Sequence, residues 1–373
     1  MKISDVKIDY VDGKMLAQVV VHGSKKTAVY AFYLYRGRDR VDVSWYSELN
    51  NVSFLVAKVG VYRVVGFVKD EDKVIWMSSP EFFFTGNMLF EKKETDLESL
   101  VDFEIISSGW YSVKGEGSEG FDVILNGFGG SSDESHFLVV FNGAVKRGKG
   151  IYPPFFSGVN LASETSLPVV SIADPTLGMD DNITLGWYGG NNNINSLQSL
   201  IVCLIDGLAR KLNSMPILVG GSGGGFASLA TLSKLTSGKA VVWNPQTDIK
   251  KYYKPTYDTY KSVAFFGQEN NIKEKVFVNE LMADDGEKTV IYLQNKNDSF
   301  HIESHARPFF KKSLINPDLF GFQRDSTFVY IMGDWRGGGH VSPPAMALIS
   351  IVNILNNNLS LDEVSEIFHN NLE

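Results

Sequence analysis

The chain has 373 residues, of which 44% are hydrophobic and 21% are charged, as in a folded globular protein rather than a disordered one. The formal net charge of −8 disfavours a nucleic-acid partner, because phosphate binding requires clustered Lys and Arg. The apolar stretches fall well short of the roughly 20 residues that cross a bilayer, and the first residues lack the apolar core of a secretion signal. We therefore expect a cytoplasmic protein without a transmembrane segment.

Residues 1–85 alternate β-branched and aromatic residues with polar ones, and Asp-Gly, His-Gly and Arg-Gly pairs punctuate them as turns. The clearest strands are Val29–Tyr35 and Val61–Val68. This pattern predicts a small all-β sandwich, with Trp45 and Tyr46 packed in its core; a sugar-stacking platform is the alternative role of these two residues. The segment resembles the immunoglobulin-like modules that precede bacterial carbohydrate-active domains. Residues 86–117 lose the alternation and are predicted to form a linker.

From residue 118 to residue 373 short apolar runs alternate with helical patterns, which is typical of an α/β domain with a mostly parallel sheet. The helical pattern is clearest at Ser196–Leu212, where an apolar stripe recurs every three or four residues, and similar patterns cover Phe226–Leu235 and Pro344–Leu355. The only cysteine, Cys203, lies within the apolar run of the first of these helices and is expected to be buried. The predicted strands are Phe137–Phe141, Pro168–Ile172, Ile217–Val219, Ala240–Trp243, Thr289–Leu293 and Phe328–Met332.

The strongest motif is a serine enclosed by glycines, Gly220–Gly225, which joins an apolar strand to a helix. A G-x-S-x-G sequence at such a junction is a nucleophile elbow, in which the crowded turn requires neighbours without side chains. A glycine-rich phosphate loop is the alternative, but the Lys-Ser/Thr ending of such loops is missing. We therefore predict that Ser222 is a nucleophile.

A serine hydroxyl needs a base that accepts its proton, and the sequence offers six histidines. His340 follows the last predicted strand in a glycine-rich loop and precedes the last long helix, so it is the predicted base. His22 and His369 are expected at the surface, and the position of His136 before a strand leaves its role open.

The third member of such a triad orients the imidazole and offsets its charge. Asp298 follows the strand Thr289–Leu293, and the order Ser222, Asp298, His340 is the Ser…acid…His order of α/β-hydrolases. The rivals for this role are Glu303, Asp334 and Asp248, of which Asp334 is expected to support the histidine loop.

His301 and His305 lie just beyond Asp298, in a polar segment behind the same strand. They are candidates for lining the pocket or binding substrate. Their i, i+4 spacing also suggests a metal site, but no matching carboxylate or cysteine pattern accompanies it, so no metal is predicted.

An oxyanion formed during acyl transfer needs two backbone donors. One is predicted to be the N–H of Gly223, which follows the nucleophile. The other is predicted within Asn142, Gly143 and Ala144, in the loop after the strand Phe137–Phe141. The earlier sequence Asn126–Gly130 is a competing loop and is expected to be a turn.

With these motifs in place, residues 118–373 resemble the α/β-hydrolase superfamily. Four shorter sequences are similar to the bacterial branch that contains capsular polysaccharide and glycan O-acetyltransferases and esterases; they are Asp174–Leu177, Leu185–Gly190, Trp243–Asp248 and Asn297–His301. The resemblance implies acylation of Ser222 and transfer of the acyl group to a sugar hydroxyl in capsule or glycan synthesis. It also implies no bound cofactor, with acetyl-CoA as a candidate donor, although no CoA-phosphate motif is present. The candidate substrate-binding aromatics are Trp187, Tyr188, Trp243, Tyr252, Tyr253 and Trp335, whose alternative role is packing.

Three other functions remain open from the sequence. A carboxylesterase or deacetylase would use the same three residues with water as acceptor. A serine peptidase would use the same triad on amides, although no acidic pair for an N-terminus is recognisable. A non-catalytic glycan-binding protein would use the scaffold alone. The expected partner is a carbohydrate or a small acyl ester.

Overall fold

The computed structural model describes residues 1–23, 27–102, 106–114, 120–129, 135–194, 196–268, 272–281, 288–335 and 338–371. The chain forms two compact units, one of Met1–Lys93 with Arg147–Pro153 and one of Glu94–Lys146 with Pro154–Glu373. Four predicted features lie partly outside the described residues: residues 103–105 and 115–117 of the linker, Gly130 of the Asn126–Gly130 turn, residues 336–337 of the histidine loop and the side chain of His369.

The first unit is built from antiparallel strands. β1, β2 and β5 form one sheet, and in a second sheet β3 lies between β4 and β6 while β6 also pairs with β7 and β8. The strands are β1 (Lys2–Val11), β2 (Lys14–His22), β3 (Val29–Arg36), β4 (Asp39–Ser47), β5 (Asn51–Leu55), β6 (Gly60–Asp70), β7 (Lys73–Ser78), β8 (Phe82–Phe84) and β9 (Leu89–Asp96), the last of which pairs with β8.

The two sheets of the first unit pack face to face through alternate residues of each strand, such as Val6 and Val19 from one sheet and Phe32 from the other. Gly66 permits their close approach, because a Cβ atom there would lie 2.3 Å from Val19 Cγ2. The all-β module is therefore confirmed. The prediction for Trp45 and Tyr46 was wrong: these β4 residues are 66% and 42% exposed, since the buried face of that sheet is filled from β3 and β6.

The second unit contains one mixed sheet with the order β17-β18-β16-β15-β14-β12-β13-β11-β10 in the part of the chain that the structure describes. Neighbours from β13 to β18 run parallel, whereas the pairs β10–β11, β11–β13 and β17–β18 are antiparallel. The strands are β10 (Gly109–Lys114), β11 (Gly120–Asn126), β12 (His136–Phe141), β13 (Val169–Ile172), β14 (Met215–Gly221), β15 (Gly238–Trp243), β16 (Lys288–Asn295), β17 (Gly321–Asp325) and β18 (Phe328–Gly333).

Helices cover both faces of this sheet. One face packs against α3, α4 and α5 and the other against α8 and α9, so each face has its own hydrophobic layer. The helices are α1 (Leu97–Asp102), α2 (Leu161–Thr165), α3 (Leu197–Leu212), α4 (Gly223–Leu232), α5 (Lys254–Phe265), α6 (Ser299–His301), α7 (Arg307–Phe310), α8 (Ala345–Asn356) and α9 (Glu363–Asn371). A π-helical turn over Ile302–Ala306 joins α6 to α7.

Each of the six strands and three long helices predicted in the second unit overlaps an observed element of the same type. The expectation for Cys203 was wrong, because its thiol is exposed. The apolar stripe of α3 runs through Leu197, Ile201, Leu204 and Leu208, and this stripe turns Cys203 toward solvent.

The segment predicted as a linker, 86–117, contains β9, α1 and β10 in the structure. Its buried residues include Leu100 and Trp110, whose side chains are fully buried, and Tyr111 at 3% exposure. The six-residue helix is too short to show a helical repeat of apolar residues. Both faces of β10 are covered, so its sequence does not alternate between apolar and polar residues either.

Candidate active site

Ser222 lies between the end of β14 and the start of α4, with φ 55° and ψ −119°. The tight turn brings backbone atoms into contact: a Cβ atom on Gly220 would lie 2.4 Å from the carbonyl oxygen of Gly224, and one on Gly224 would lie 2.5 Å from that of Phe141. Larger residues at these positions would displace the serine. The glycines thus permit a strained backbone that exposes the Ser222 hydroxyl at the carboxyl end of the sheet.

The first amides of α4 and the loop after β12 approach the serine from two sides. Gly223 begins α4, whose first N–H groups have no partner within the helix. Gly143 is so close that a Cβ atom on it would lie 3.6 Å from Ser222 Cβ. The N–H of Asn142 donates instead to the Tyr188 hydroxyl at 2.9 Å, which removes it from the predicted oxyanion donors. Gly143 and Ala144 remain, and both line the cavity that contains Ser222.

Asp298 and His340 meet at the ends of β16 and β18. His340 Nδ1 lies 2.6 Å from Asp298 Oδ2. Asp298 is buried at 5% exposure, whereas the side chain of His340 is 41% exposed and reaches the same cavity as Ser222. The rival acids are engaged elsewhere: Asp334 pairs with Lys296, Asp248 with Lys275, and Glu303 with Arg307.

His301 forms a hydrogen bond with the other oxygen of the Asp298 carboxylate. Its Nδ1 lies 2.9 Å from Asp298 Oδ1, and its ring stacks on that of His340 with centroids 4.1 Å apart and an interplanar angle of 10°. Burial opposes ionisation of Asp298, but hydrogen bonds from His301 and His340 hold the pKa of its carboxyl well below the usual range. Burial lowers the pKa of His301, so this imidazole is neutral and Asp298 carries the negative charge.

His305 is fully buried, and burial lowers its pKa to about 3. Its Nδ1 accepts a hydrogen bond from the N–H of Thr247 at 3.3 Å. His301 and His305 therefore do not line the cavity as predicted; they pack behind Asp298.

The ligating atoms of Asp298, His301 and His340 lie within 4.8 Å of one another, the one such group among the described residues. Both carboxylate oxygens face imidazole nitrogens at hydrogen-bond distances of 2.6 and 2.9 Å. A metal ion would need those same oxygens and the Nδ1 atoms. The arrangement therefore serves either a hydrogen-bonded acid–base pair or a cation, and the hydrogen bonds present fit the former.

A polar network fastens the loop that carries His340. Asn244 Nδ2 and Trp335 Nε1 both donate to the carbonyl of Val341, at 2.9 and 3.0 Å. Asn295 Nδ2 donates to the carbonyls of Trp335 and Gly338. Trp335, predicted as a substrate contact, is 2% exposed and instead fixes the chain next to the histidine.

Ser222 Oγ accepts a hydrogen bond from Gln246 Nε2 at 3.0 Å and is not bonded to His340 in this structure. The Gln246 backbone N–H also donates to the Ser222 carbonyl, at 3.1 Å. The amide oxygen Oε1 of Gln246 accepts in turn from Trp187 Nε1. This short chain from Trp187 through Gln246 fixes the orientation of the Ser222 hydroxyl.

Trp187 and Tyr188 are consecutive residues with φ of 54°, in a turn closed by a hydrogen bond from Gly189 N to Gly186 O. Such angles cost roughly 1–3 kcal/mol each for residues other than glycine. The buried carboxylate of Asp174 holds the turn by accepting from the N–H of Tyr188 at 2.9 Å. The strained turn directs Trp187 toward Gln246 and Tyr188 toward Asn142, so it supports both Ser222 and the loop after β12.

Both aromatic residues of this turn were predicted as substrate contacts, and both are buried, at 1% and 3% exposure. Of the aromatic candidates, Trp243 and Tyr252 do line the cavity. Gln246 was not singled out within the Trp243–Asp248 sequence. Its position in the sequence could have identified it. Gln246 follows the end of β15 at Trp243 by three residues, at the carboxyl edge of the sheet where side chains from successive strands converge.

The site opens into a cavity of about 430 Å³. Ser222, His340, Gly143 and Trp243 lie along one part of its lining. Aliphatic side chains from β12, α2 and α8 form another part, among them Val140, Leu161, Leu348 and Val352. The predicted nucleophile, the predicted base and the loop of the predicted backbone donors therefore border a single cavity large enough for a substrate.

These features define a fold class. A mostly parallel sheet with antiparallel strands at both ends carries a serine elbow after β14, an acid after β16 and a histidine after β18, which is the α/β-hydrolase arrangement. The predicted fold is confirmed, with an N-terminal antiparallel β unit. In the part of the chain that the structure describes, no helix is long and apolar enough to cross a membrane.

The sequence matches no protein-family model and no curated protein. Solved structures with a similar chain path include the capsule O-acetyltransferase of Neisseria meningitidis serogroup A, at 14% identity over 69% of this chain and 97% of that one, with a TM-score of 0.44. A chain of the Glycosylation Associate Protein complex from Streptococcus agalactiae is 13% identical over 98% of this chain and 73% of that one, with a TM-score of 0.44. Acetyl xylan esterase from Aspergillus awamori is 9% identical over 67% and 99%, with a TM-score of 0.40.

Proposed function

We propose that this protein is a serine acyltransferase that moves an acyl group from an activated ester or thioester to a hydroxyl group through an acyl-enzyme on Ser222. The observation that carries the proposal is the shared cavity: Ser222, the His340 imidazole bonded to Asp298 and the Gly143 loop all border it. This set supplies the nucleophile, base and anion stabilisation that acyl transfer requires.

In the first half-reaction Ser222 Oγ attacks the carbonyl carbon of the donor and its proton passes to His340 Nε2. Nδ1 is the nitrogen held by Asp298, which leaves Nε2 for this transfer. The N–H groups of Gly223 and of Gly143 or Ala144 stabilise the tetrahedral oxyanion. The bond to the leaving group then breaks, and the leaving group takes the proton from His340.

In the second half-reaction an acceptor hydroxyl gives its proton to His340 and attacks the acyl carbon. The bond to Ser222 Oγ breaks, and His340 returns the proton to that oxygen. The acceptor in the proposal is a carbohydrate hydroxyl of a surface polysaccharide or glycan. The sequence resemblance supports this choice, as do Trp243 and Tyr252, which offer aromatic surface in the cavity beside the nucleophile. Acetyl-CoA is the donor that the resemblance implies.

Ester hydrolysis is the second candidate, because the cavity is open and His340 is 41% exposed, so water reaches the base. The same acyl-enzyme serves both reactions, and only the acceptor differs.

Intact-mass spectrometry tests the proposal. Wild-type protein and Ser222→Ala are incubated with a fluorophosphonate and then, separately, with acyl donors in the presence and absence of oligosaccharides. Labelling of the wild type alone, followed by acyl groups on the sugar, is expected. Acylated enzyme that releases only free acid would select hydrolysis. The absence of an adduct on Ser222 with every reagent would contradict the acyl-enzyme mechanism.

A further inference from the structure

The cavity beside Ser222 extends into the hydrophobic layer between the sheet and α8. Val140 and Val219 contribute from the ends of β12 and β14, and Leu348 and Val352 from α8. Leu161 of α2 closes the opposite side, where Gly158 leaves room because a Cβ atom there would lie 2.8 Å from Val140. The cavity that contains Ser222 therefore has an aliphatic wall built from four elements, β12, β14, α2 and α8.

The wall itself, formed by Val140, Val219, Leu161, Leu348 and Val352, carries no polar side chain, and the polar residues that line the cavity beside it are Ser157, Glu164 and Thr165. The hydroxyl of Thr165 lies among the lining residues, but it donates to the carbonyl of Leu161 at 2.7 Å. Glu164 is exposed. A sugar placed against Leu348 and Val352 would leave its hydroxyl groups without partners, which is unfavourable. An aliphatic chain would replace water there at no such cost.

The volume of the cavity also favours an aliphatic chain. A cavity of about 150 Å³ lined by Leu, Ile and Phe holds a six-carbon benzene ring. The cavity here is about 430 Å³. An acetyl group on Ser222 would occupy a small part of it and would leave the wall formed by Leu161, Leu348 and Val352 uncovered.

We propose that the acyl group carried by Ser222 is an aliphatic chain longer than acetyl, of about six carbons or more, which lies against the wall between α2 and α8. This inference rests on the proposed acyl-enzyme and names its acyl substrate. The acceptor approaches from the open side of the cavity, near Trp243 and Tyr252. The acetyl donor implied by the sequence resemblance is thereby replaced by a medium-chain donor.

A series of p-nitrophenyl esters from acetate to dodecanoate tests the chain length. Each buried methylene is expected to raise kcat/KM by roughly fourfold until the wall is covered. The hexanoate or octanoate should therefore exceed the acetate by at least tenfold. Equal or faster turnover of the acetate would overturn the inference and leave the acyl-enzyme mechanism intact. Failure of every ester together with no fluorophosphonate adduct would overturn both.

Two tryptophan substitutions on α8 locate the chain. Leu348→Trp fills the wall and should lower the hexanoate-to-acetate ratio of kcat/KM at least tenfold. Met346→Trp is the matched control, because Met346 lies on the same helix, is 67% exposed and does not line the cavity. It should leave the ratio unchanged. Using the ratio keeps the test valid when either variant folds in lower yield. An unchanged ratio in Leu348→Trp would place the chain elsewhere and overturn the inference.

Discussion

The two sides of the space around Ser222 are built in opposite ways. On one side Gln246, Trp187, Asn244 and Asn295 form a buried polar network that fixes side chains through directional hydrogen bonds. On the other side the wall formed by Val140, Val219, Leu161, Leu348 and Val352 is aliphatic, and these side chains cannot form hydrogen bonds. In the proposed mechanism, the polar side positions the reacting atoms and the aliphatic side limits the length of hydrocarbon that the site accepts.

Substitutions in the polar network and in the aliphatic wall should have different consequences. A buried hydrogen-bonding group that loses its partner costs about 1–3 kcal/mol, and it also moves the group that it held. A change of one methylene on the aliphatic wall alters affinity for the chain by a smaller, graded amount. Substitutions in the network should therefore reduce rate, whereas those in the wall should change selectivity.

The largest effect is expected for Asp298→Asn. The amide cannot hold His340 in the required tautomer or offset the charge of the imidazolium, so kcat should fall by about 10⁴. The measurement is turnover of the best p-nitrophenyl ester, with Asp334→Asn as control, since Asp334 pairs with Lys296 at the edge of the same loop. A loss below tenfold in Asp298→Asn would remove Asp298 from the triad.

Gln246→Ala should have the next largest effect. Loss of the amide that donates to Ser222 Oγ leaves the hydroxyl free to rotate, so kcat should fall about tenfold while KM stays the same. Steady-state kinetics separate the two constants. Gln246→Glu keeps the side-chain size but lacks the donor, and it should lose at least as much activity. Full kcat in either variant would make Gln246 a structural residue only.

Trp187→Phe should have a smaller effect on rate and a measurable one on stability. The ring remains, but Gln246 Oε1 loses its buried donor, so the free energy of unfolding of the catalytic unit should decrease by about 1–3 kcal/mol. Activity should fall only a few-fold. Urea denaturation provides the measurement. Trp76→Phe, at a 67% exposed position in the N-terminal unit, should change stability by less than about 0.5 kcal/mol. A loss as small in Trp187→Phe would contradict a role for the indole N–H.

The smallest effect concerns a residue outside both sides of the site. His136 is buried at the start of β12, and burial, with a contribution from Lys239, lowers its pKa to about 4. Between pH 6.5 and 4 the unfolded chain binds a proton at this position and the folded chain does not, so stability falls as the pH decreases. Thermal unfolding at pH 7.5 and pH 5 should therefore show a smaller difference for His136→Gln than for wild type.

The exposed His22, at the end of β2, supplies the control for that experiment, since His22→Gln should retain the wild-type dependence on pH. An unchanged dependence in His136→Gln would assign the acid sensitivity to His301 and His305, whose pKa values burial also lowers.

Much of the fold was predictable because the second unit alternates short apolar runs with amphipathic helices. Strand positions such as Thr289–Leu293 follow directly from local pattern, and Gly220–Gly224 marks a turn that few other sequences tolerate. Asp298 and His340 were predictable from their places after successive strands, and the structure brings them together at 2.6 Å. Their catalytic roles stay a prediction.

Residues that act through other residues were not predictable. Trp187 and Trp335 are of a residue type common in carbohydrate-binding surfaces. In the structure both are buried, and their indole N–H groups donate hydrogen bonds to Gln246 and to the carbonyl of Val341. Trp187 and Gln246 are 59 positions apart in the sequence, so no local pattern reveals their hydrogen bond. The i, i+4 spacing of His301 and His305 is evident in the sequence. Their burial behind Asp298 depends on the π-helical turn Ile302–Ala306, which no sequence pattern predicts.

Helix α8 begins five residues after His340, and its inner face supplies Leu348 and Val352 to the aliphatic wall. Only residues 341–344 therefore separate the proposed general base from the helix that the proposed acyl chain would contact. Over evolutionary time, a lineage that shifts to another acyl group by repacking α8 would also disturb its proton-transfer geometry. New specificity in this architecture should arise together with compensating changes in the histidine loop, and engineering efforts that randomise α8 alone should recover slow enzymes.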